Sequence, residues 1–560
     1  MKNKIALIVL LLVSFEAANA QTSTKYWVFL KDKNGSPYSV SNPSAFLTQR
    51  AIQRRAKQNI AITENDIPVN QTYVNQIAAT GVTILNRSRW FNAVSIYTTD
   101  TNLVNTVKQL SFVNGTAILN RKASPNFVHD KVEKFDFENA PPSMLNEVSR
   151  TESLAYGSGF NQIAMLNGDS LHAENFQGQG MVIAILDAGF NGADTIHVFD
   201  SLRAENKILG SRDFVSGESF IYAHNNHGTE VFSTMGSNSP GKLIGTAPKA
   251  SYWLLRTEED NGGGPENPIE EFNWLAGAEF ADSVGADVIN SSLGYTTFDN
   301  AALNHTYADM NGHTTICARA ASRAASKGLI VVNAAGNEGS SSWMHIGTPA
   351  DADSILAIGA VDAVGDYAGF SSRGPSFDGR IKPNVAAQGQ GAALAYPWGL
   401  VAAGNGTSFA SPITAGLVAC VWQANPTKTN LQVIDGIQRS ASQYNNPDVF
   451  LGYGIPNFYQ ASKIISAIDE KLNPPIGLLS VFPNPFTSEL KFTYFSNEPQ
   501  TVSIQLIDIT GRKIYESQEN FVAAKQITFS INTLQNVSKG FYLLKVKDAK
   551  NTFVQKVMKY

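Results

Sequence analysis

A serine set among small residues stands at Gly406-Thr407-Ser408-Phe409-Ala410-Ser411-Pro412, and an apolar run, Ile413–Trp422, follows it. A hydroxyl nucleophile needs exposure, a base to take its proton, and donors for the oxyanion that develops on its target. The first turn of a helix meets the last need, because its leading N–H groups lack intrahelical partners and the positive dipole end points outward. Gly406 permits a tight approach of the chain, and Ala410, Ala415, Gly416 and Ala419 keep the helix thin enough to pack inside a core. Pro412 has no N–H for the Ser408 carbonyl four residues back, so an irregular turn is expected there. An ordinary capped helix, with Thr407 or Ser408 as N-cap, is the competing reading of this segment.

The base and its orienting carboxylate have matching candidates. Of eight histidines, His227 is the one followed by Gly228-Thr229 and a helical run. Asp187 ends the apolar stretch Met181–Leu186 and precedes Ala188-Gly189. A carboxylate at the C-terminal end of a buried strand is where an α/β sheet presents reactive groups. Each residue alone has a plain structural reading, as a satisfied polar histidine or a turn aspartate. Together they form a nucleophile, base and carboxylate in the order Asp, His, Ser. A serine esterase expects a G-x-S-x-G elbow and the order Ser, Asp, His, so that class is set aside.

The elements that must hold these groups change texture along the chain. From Tyr26 to about Asn120, short apolar strands alternate with polar helices, including a helix near Pro43–Lys57, which suits a small α+β unit. Residues 123–153 are rich in Pro, Asn, Glu and Ser and read as a linker. From 154 to 472, short apolar strands (Met181–Leu186, Asp287–Ser292, Leu329–Asn333) alternate with helices such as Ile269–Val284 and Ala318–Lys327. Buried parallel strands with helical crossovers read this way, so a doubly wound, mostly parallel sheet is expected. Alternating strands between 478 and 560 read as an all-β sandwich.

Motifs in the middle region resemble the subtilisin-like serine proteases, the subtilases. The three chemical blocks match that family in order, and so do Gly245-Thr246-Ala247-Pro248, Asn290-Ser291-Ser292-Leu293-Gly294, Ala334-Ala335-Gly336-Asn337 and Phe370-Ser371-Ser372-Arg373-Gly374-Pro375. The resemblance implies a secreted serine endopeptidase acting on proteins or peptides through an acyl-enzyme. His227 would be the base for Ser408, Asp187 the orienting carboxylate, and Asn337 an oxyanion donor beside the Ser408 N–H. Ser292, Leu293 and Gly294 would pair with substrate as an added strand, with Gly336 opposite. Gly262-Gly263-Gly264 would flank the peptide's other side. Ala188 departs from the family's usual hydroxyl residue, which would loosen Asp187, and Glu230 stands where histidine is frequent. Catalysis in the family requires no cofactor, and although its members often bind structural calcium, no motif fixes a metal site here.

The ends of the chain extend the resemblance. Lys2 and Lys4, an apolar run from Ile5, and Ala18-Asn19-Ala20 read as a signal peptide over residues 1–20. Residues 21–122 resemble the inhibitor-like propeptide of subtilases, with the processing site expected in 123–153. Val481-Phe482-Pro483-Asn484-Pro485, Asp508-Ile509-Thr510-Gly511-Arg512 and Gly540-Phe541-Tyr542-Leu543 resemble the C-terminal sorting domain of type IX secretion, which implies passage across a Gram-negative outer membrane and contact with that machinery. A net charge of −4 gives no basis for nucleic-acid binding, and no later stretch is long and apolar enough to span a membrane in the mature chain. Arg50, Arg54, Arg55 and Lys57 read as a solvated helix face, and Glu258, Glu259 and Asp260 as a solvated acidic loop. Cys317 and Cys420, the only cysteines, read as buried free thiols. The alternative function is an inactive, surface-displayed binding protein on the same scaffold. Retention of Asp187, His227, Ser408 and Asn337 together favours the enzyme.

Overall fold

The computed structural model describes residues 24–121, 155–259, 266–467, 477–496, 500–521, 525–549 and 551–560. The expected signal peptide, the linker 123–153, Asp260 and Gly262–Gly264 lie outside them. At the N-terminal end, β1 (Thr24–Leu30), α1 (Gln49–Lys57), α2 (Gln71–Ala78), β2 (Thr83–Ser88), β3 (Ala93–Thr98), α3 (Asn102–Lys108) and β4 (Val113–Arg121) form the α+β unit. Its antiparallel sheet has the order β2-β3-β1-β4. Val28, Val94 and Ile96 bury one face against Val74 and Ile77 of α2 and Val104 and Val107 of α3. The helix expected over Pro43–Lys57 starts only at Gln49, because the Thr48 side chain caps it by accepting from the Ala51 N–H. Pro43 opens a separate 3-10 turn.

The middle region builds one seven-stranded sheet from β5 (Val182–Asp187), β6 (Ile208–Asp213), β7 (Ser251–Arg256), β8 (Val288–Ser291), β9 (Ile330–Ala334), β10 (Leu356–Val361) and β11 (Val385–Gln388). The order is β11-β10-β9-β8-β5-β7-β6 and every pair is parallel. Strand residues alternate between two apolar layers. Ile183, Ile185, Val288 and Val332 face one core, and Val182, Ala184, Leu186, Ile289 and Val331 face the other. On the first side lie α4 (His227–Gly236) and α7 (Thr407–Ala424), and on the second α5 (Ile269–Val284) and α6 (Ile316–Ser326). A hairpin, β12 (Gln390–Ala395) and β13 (Val401–Asn405), leads into α7. This is the doubly wound parallel architecture expected.

The α+β unit docks on the second side. Trp27, Trp90 and Leu119 belong to the same cluster as Phe272, Trp274 and Leu275 of α5, and Trp27 meets Phe272 edge-on at 5.4 Å. The solvated face expected for the basic stretch of α1 is corrected here: Arg54 and Arg55 are 5% and 1% exposed. Both guanidinium groups pair with Asp282 at the end of α5, and Arg55 reaches Asp66 as well. Periodicity marked these arginines as one face of a helix. It could not show that carboxylates of a distant segment would meet that face. Gly285 ends α5 at φ +83°, and a Cβ there would lie 2.7 Å from Arg50 Cβ, so glycine permits both the cap and the docking.

The chain divides into two compact units, Met1–Ser466 and Ala467–Tyr560. The second holds two antiparallel sheets, one of three strands and one of four. Phe492, Val502, Ile504, Leu506, Leu544 and Val546 fill its core, as in a sandwich.

Candidate active site

The expected site residues gather at the C-terminal ends of three adjacent strands, β9, β8 and β5, and at the first turns of two helices. Asp187, the last residue of β5, is wholly buried. Its Oδ1 accepts from the Ala188 N–H at 2.8 Å and its carbonyl from the Thr257 N–H at 2.9 Å. Backbone therefore supplies the orienting contact that the missing hydroxyl at position 188 put in question. His227 is the first residue of α4, and its Nδ1 lies 2.7 Å from Asp187 Oδ1. The Asn225 side chain, just ahead of the helix N-cap Asn226, accepts from the His227 N–H at 2.7 Å. Gly228 makes this approach possible, since a Cβ there would lie 2.2 Å from the Gly189 carbonyl.

Ser408 lies in the first turn of α7 and is 4% exposed. The His227 and Phe409 rings are 6.2 Å apart, which brings the two helix starts together. Its hydroxyl donates to the Ser292 carbonyl at 3.3 Å. In return, the Ser292 hydroxyl donates to the Ser408 carbonyl at 2.8 Å. That carbonyl is the group which Pro412 leaves without a backbone donor, so α7 continues where an irregular turn was expected. Ser411 adds a second tie, its hydroxyl donating to Asn290 Oδ1 at 3.0 Å.

Asn337 follows β9, and its Oδ1 accepts from both the N–H and the hydroxyl of Thr407, each at 2.9 Å. These bonds fix which end of the amide is the donor. The Gly336 N–H donates to Thr407 Oγ1 at 3.2 Å. Ser292, Leu293 and Gly294 continue β8 beyond its last paired residue, Ser291. The Leu293 carbonyl accepts from Asn333 Nδ2 at 3.1 Å, and Tyr295 then exchanges backbone bonds with Thr348. Sequence reasoning passed over Asn225, the Ser292 hydroxyl and the tie from Thr407 to Asn337. Pro412 was the available clue to Ser292, because the carbonyl it orphans needs a donor.

Other titratable groups nearby are structural. His172 bonds the Tyr156 hydroxyl and the Thr246 carbonyl, each at 3.0 Å, and burial pushes its pKa down to about 4. Cys317 and Cys420 are buried and form no disulfide, as expected, and burial holds the Cys420 thiol far above its usual range. Glu258 is buried beneath the Tyr295 hydroxyl at 3.1 Å, so the solvated-loop reading fails for it. Among the described residues, two groups have ligand atoms close enough to share a cation: Asp213, Glu218 and His224, and Glu258, Glu266 and Glu270. Asp213 already pairs with Arg256 at 3.0 Å and takes the Ser216 hydroxyl, while Glu270 accepts the N–H groups of Glu259 and Asn267. Neither donor set points to a particular metal.

Residues 178–454 match the model of the Subtilase family, residues 25–134 the Peptidase S8 propeptide domain of Bacteroidota, and residues 480–560 the secretion system C-terminal sorting domain. Subtilisin E of Bacillus subtilis (strain 168) is 32% identical over 362 residues, which cover 64% of this chain and 82% of that protein. Subtilisin of Bacillus pumilus is 32% identical over 317 residues, covering 56% of this chain and all of that one. The chain belongs to the subtilase family. It is a serine protease made as a zymogen, with a propeptide ahead of the protease domain and a sorting tail behind it. The tail marks it for export across the outer membrane, to the cell surface or beyond. Among the described residues, no helix is long and apolar enough to cross a membrane.

Proposed function

We propose that Ser408, His227 and Asp187 are the catalytic triad of an endopeptidase that cleaves its own propeptide before it acts on other proteins. The observation that carries this reading is the buried 2.7 Å contact between His227 Nδ1 and Asp187 Oδ1, set beside the first turn that bears Ser408. Asp187 keeps the Nδ1–H tautomer, which leaves Nε2 to act as base. The 3.3 Å bond from Ser408 to Ser292 is long, and rotation about χ1 exchanges it for one to His227. Ser408 Oγ then attacks the peptide carbonyl while its proton passes to Nε2. The oxyanion is met by the Ser408 N–H and the Asn337 side-chain amide, whose oxygen Thr407 occupies. His227 returns the proton to the leaving amine, and water repeats the sequence on the acyl-enzyme. The substrate lies as an added strand on Ser292-Leu293-Gly294, with Gly336 across from it. These steps use no cofactor.

The domain limits follow from the same reading: residues 21–122 act as propeptide, 123–153 hold the cut, 154–472 form the protease and 478–560 the sorting domain. Purified wild-type protein is expected to lose about its first 120–150 residues without help, since the linker is a cleavable segment. Ser408→Ala removes one oxygen and is expected to retain them. A fluorophosphonate should label wild type at Ser408 and leave the variant unlabelled. A pure wild-type protein that neither matures nor takes the label would favour the binding-protein alternative.

A further inference from the structure

Between Gly294 and the start of α6 at Ile316, the chain makes a long excursion whose neck closes on itself. The Thr296 carbonyl accepts from the His305 N–H at 2.9 Å, and the Phe298 N–H donates to Asn304 Oδ1 at 2.7 Å. The Phe298 and His305 rings meet edge to face at 5.3 Å. His305 Nε2 then donates to Glu271 Oε1 at 2.7 Å, with side chains 18% and 1% exposed. The other oxygen of Glu271 takes the Cys317 N–H, in the first turn of α6, at 3.2 Å. One buried carboxylate thus ties α5, α6 and the neck together, and the neck begins two residues after Gly294.

We propose that His305 is a positioning residue for the protease: its ion pair with Glu271 holds the segment that follows Gly294 and so keeps Ser292-Leu293-Gly294 aligned to receive substrate. This rests on the reading of that strand as the substrate edge. Asp187, His227, Ser408 and Asn337 stand on other elements, and Ser292 is itself tied to Ser408 by two hydrogen bonds, so release of the neck falls on the Leu293-Gly294 end of the edge and shows in binding more than in the chemical step. The charged groups around the imidazole are Glu271 from α5, Asp309 from the 3-10 turn Tyr307–Asp309, and Asp351 from the segment before β10. Burial disfavours the charged ring, but the hydrogen bond and charge of Glu271, with the two aspartates, outweigh it and hold the pKa above the usual histidine value. A pKa raised in the folded state gives a contribution present in full below the ordinary value, about 6.5, and lost as pH climbs through the raised one. The latch therefore opens on the alkaline side, whereas His227 must lose its proton to work.

The test is kcat and KM measured separately on one peptide substrate, from about pH 6 to 10, for processed wild type and for His305→Gln, which keeps an N–H donor that does not titrate. Wild-type KM is expected to rise about five- to tenfold on the alkaline side, the size of one lost charge-assisted contact, with kcat level. His305→Gln is expected to show a KM that does not change with pH, and a kcat at pH 7 within about twofold of wild type. The wild-type profile needs no variant, so a flat wild-type KM overturns the inference even if His305→Gln fails to fold. Hydrolysis with a flat wild-type KM, or the same alkaline rise in His305→Gln, would overturn this inference alone. No hydrolysis at any pH would overturn the protease reading and this inference with it.

Discussion

The cleft and the propeptide joint are built from different interactions. In the cleft, groups are fixed mostly by hydrogen bonds from neutral or backbone donors: the Ala188 N–H to Asp187, the His227 N–H to the Asn225 side-chain oxygen, and Thr407 to Asn337. At the joint, Asp282 takes three guanidinium groups, those of Arg54, Arg55 and Arg89, and Asp66 takes Arg55 and Lys327. Glu279 adds contacts to the Ser88 hydroxyl and to the N–H groups of Arg89 and Trp90. Buried ion pairs give little net stability over apolar packing, because desolvation offsets their attraction, but breaking one partner is costly. A joint with many charges specifies its register strictly and, once parted, yields two surfaces that water can solvate. A cleft that must keep its geometry through every turnover gains nothing from parting. The candidate site is thus held by short-range contacts, and the propeptide joint by buried charges whose two surfaces can each be solvated.

The largest effect is expected at the joint. Asp282→Ala leaves three interior guanidinium groups without their shared carboxylate, a loss of about 3–5 kcal/mol. After cleavage, the propeptide should therefore dissociate about 10²–10⁴ more readily, seen as activity that appears without a lag after processing. A lag equal to wild type would mean that apolar contacts such as Trp27 with Phe272 hold the joint alone. In the cleft, Asn337→Leu should lower kcat by about 10²–10³ with KM nearly unchanged. An intact kcat would show that the amide has another task.

The two regions also separate by pH. With a neutral His227 as base, kcat/KM should rise through roughly pH 6–8. A profile already maximal at pH 4 would remove His227 from that role. The joint answers to a different range. Burial works to raise the Asp66 pKa, but its bonds to Arg55, then Lys327, prevail and hold it well below the usual carboxylate value. A depressed folded pKa gives stability present above the ordinary value, about 3.9, and lost only as pH falls through the lower one. Gel filtration of the cleaved pair should therefore find the propeptide still bound at pH 5, where the protease is already slow.

Much of the candidate site was legible because the proposed chemistry demands particular residue types at strand and helix ends. Asp187 after a buried strand, His227 before a helix and Ser408 at a first turn are local patterns, and the sheet order that unites them follows from apolar runs and crossovers. What remained hidden was pairwise and distant. Arg54 and Asp282 are 228 residues apart, so helical periodicity could mark the arginine's face without naming its partner. The Ser292 hydroxyl on the Ser408 carbonyl spans 116 residues, and only the proline hinted that such a donor was needed. Glu258 looked like part of a solvated loop because its neighbours are polar, while the Tyr295 ring that covers it comes from another strand end.

The smallest effect is expected at a half-exposed ion pair on the edge of the joint. Lys25 Nζ and Glu259 Oε2 also bridge the propeptide and the protease domain, at 3.3 Å, but the side chains are 19% and 35% exposed. Water screens such a pair, and ordering two long side chains offsets most of the attraction, so exposed pairs contribute about 0.2–1 kcal/mol. Lys25→Ala should thus change propeptide retention by less than about fivefold, with the residual effect shrinking further in high salt. Asp282→Ala, by contrast, should be nearly indifferent to salt, because its partners are shielded from the solvent. The pair of variants tests whether burial or charge count governs the joint, since each removes one carboxylate–cation contact or more from the same interface. If Lys25→Ala loosened the propeptide as much as Asp282→Ala, long-range attraction between the two surfaces would be the controlling term. The buried cluster would then serve register alone.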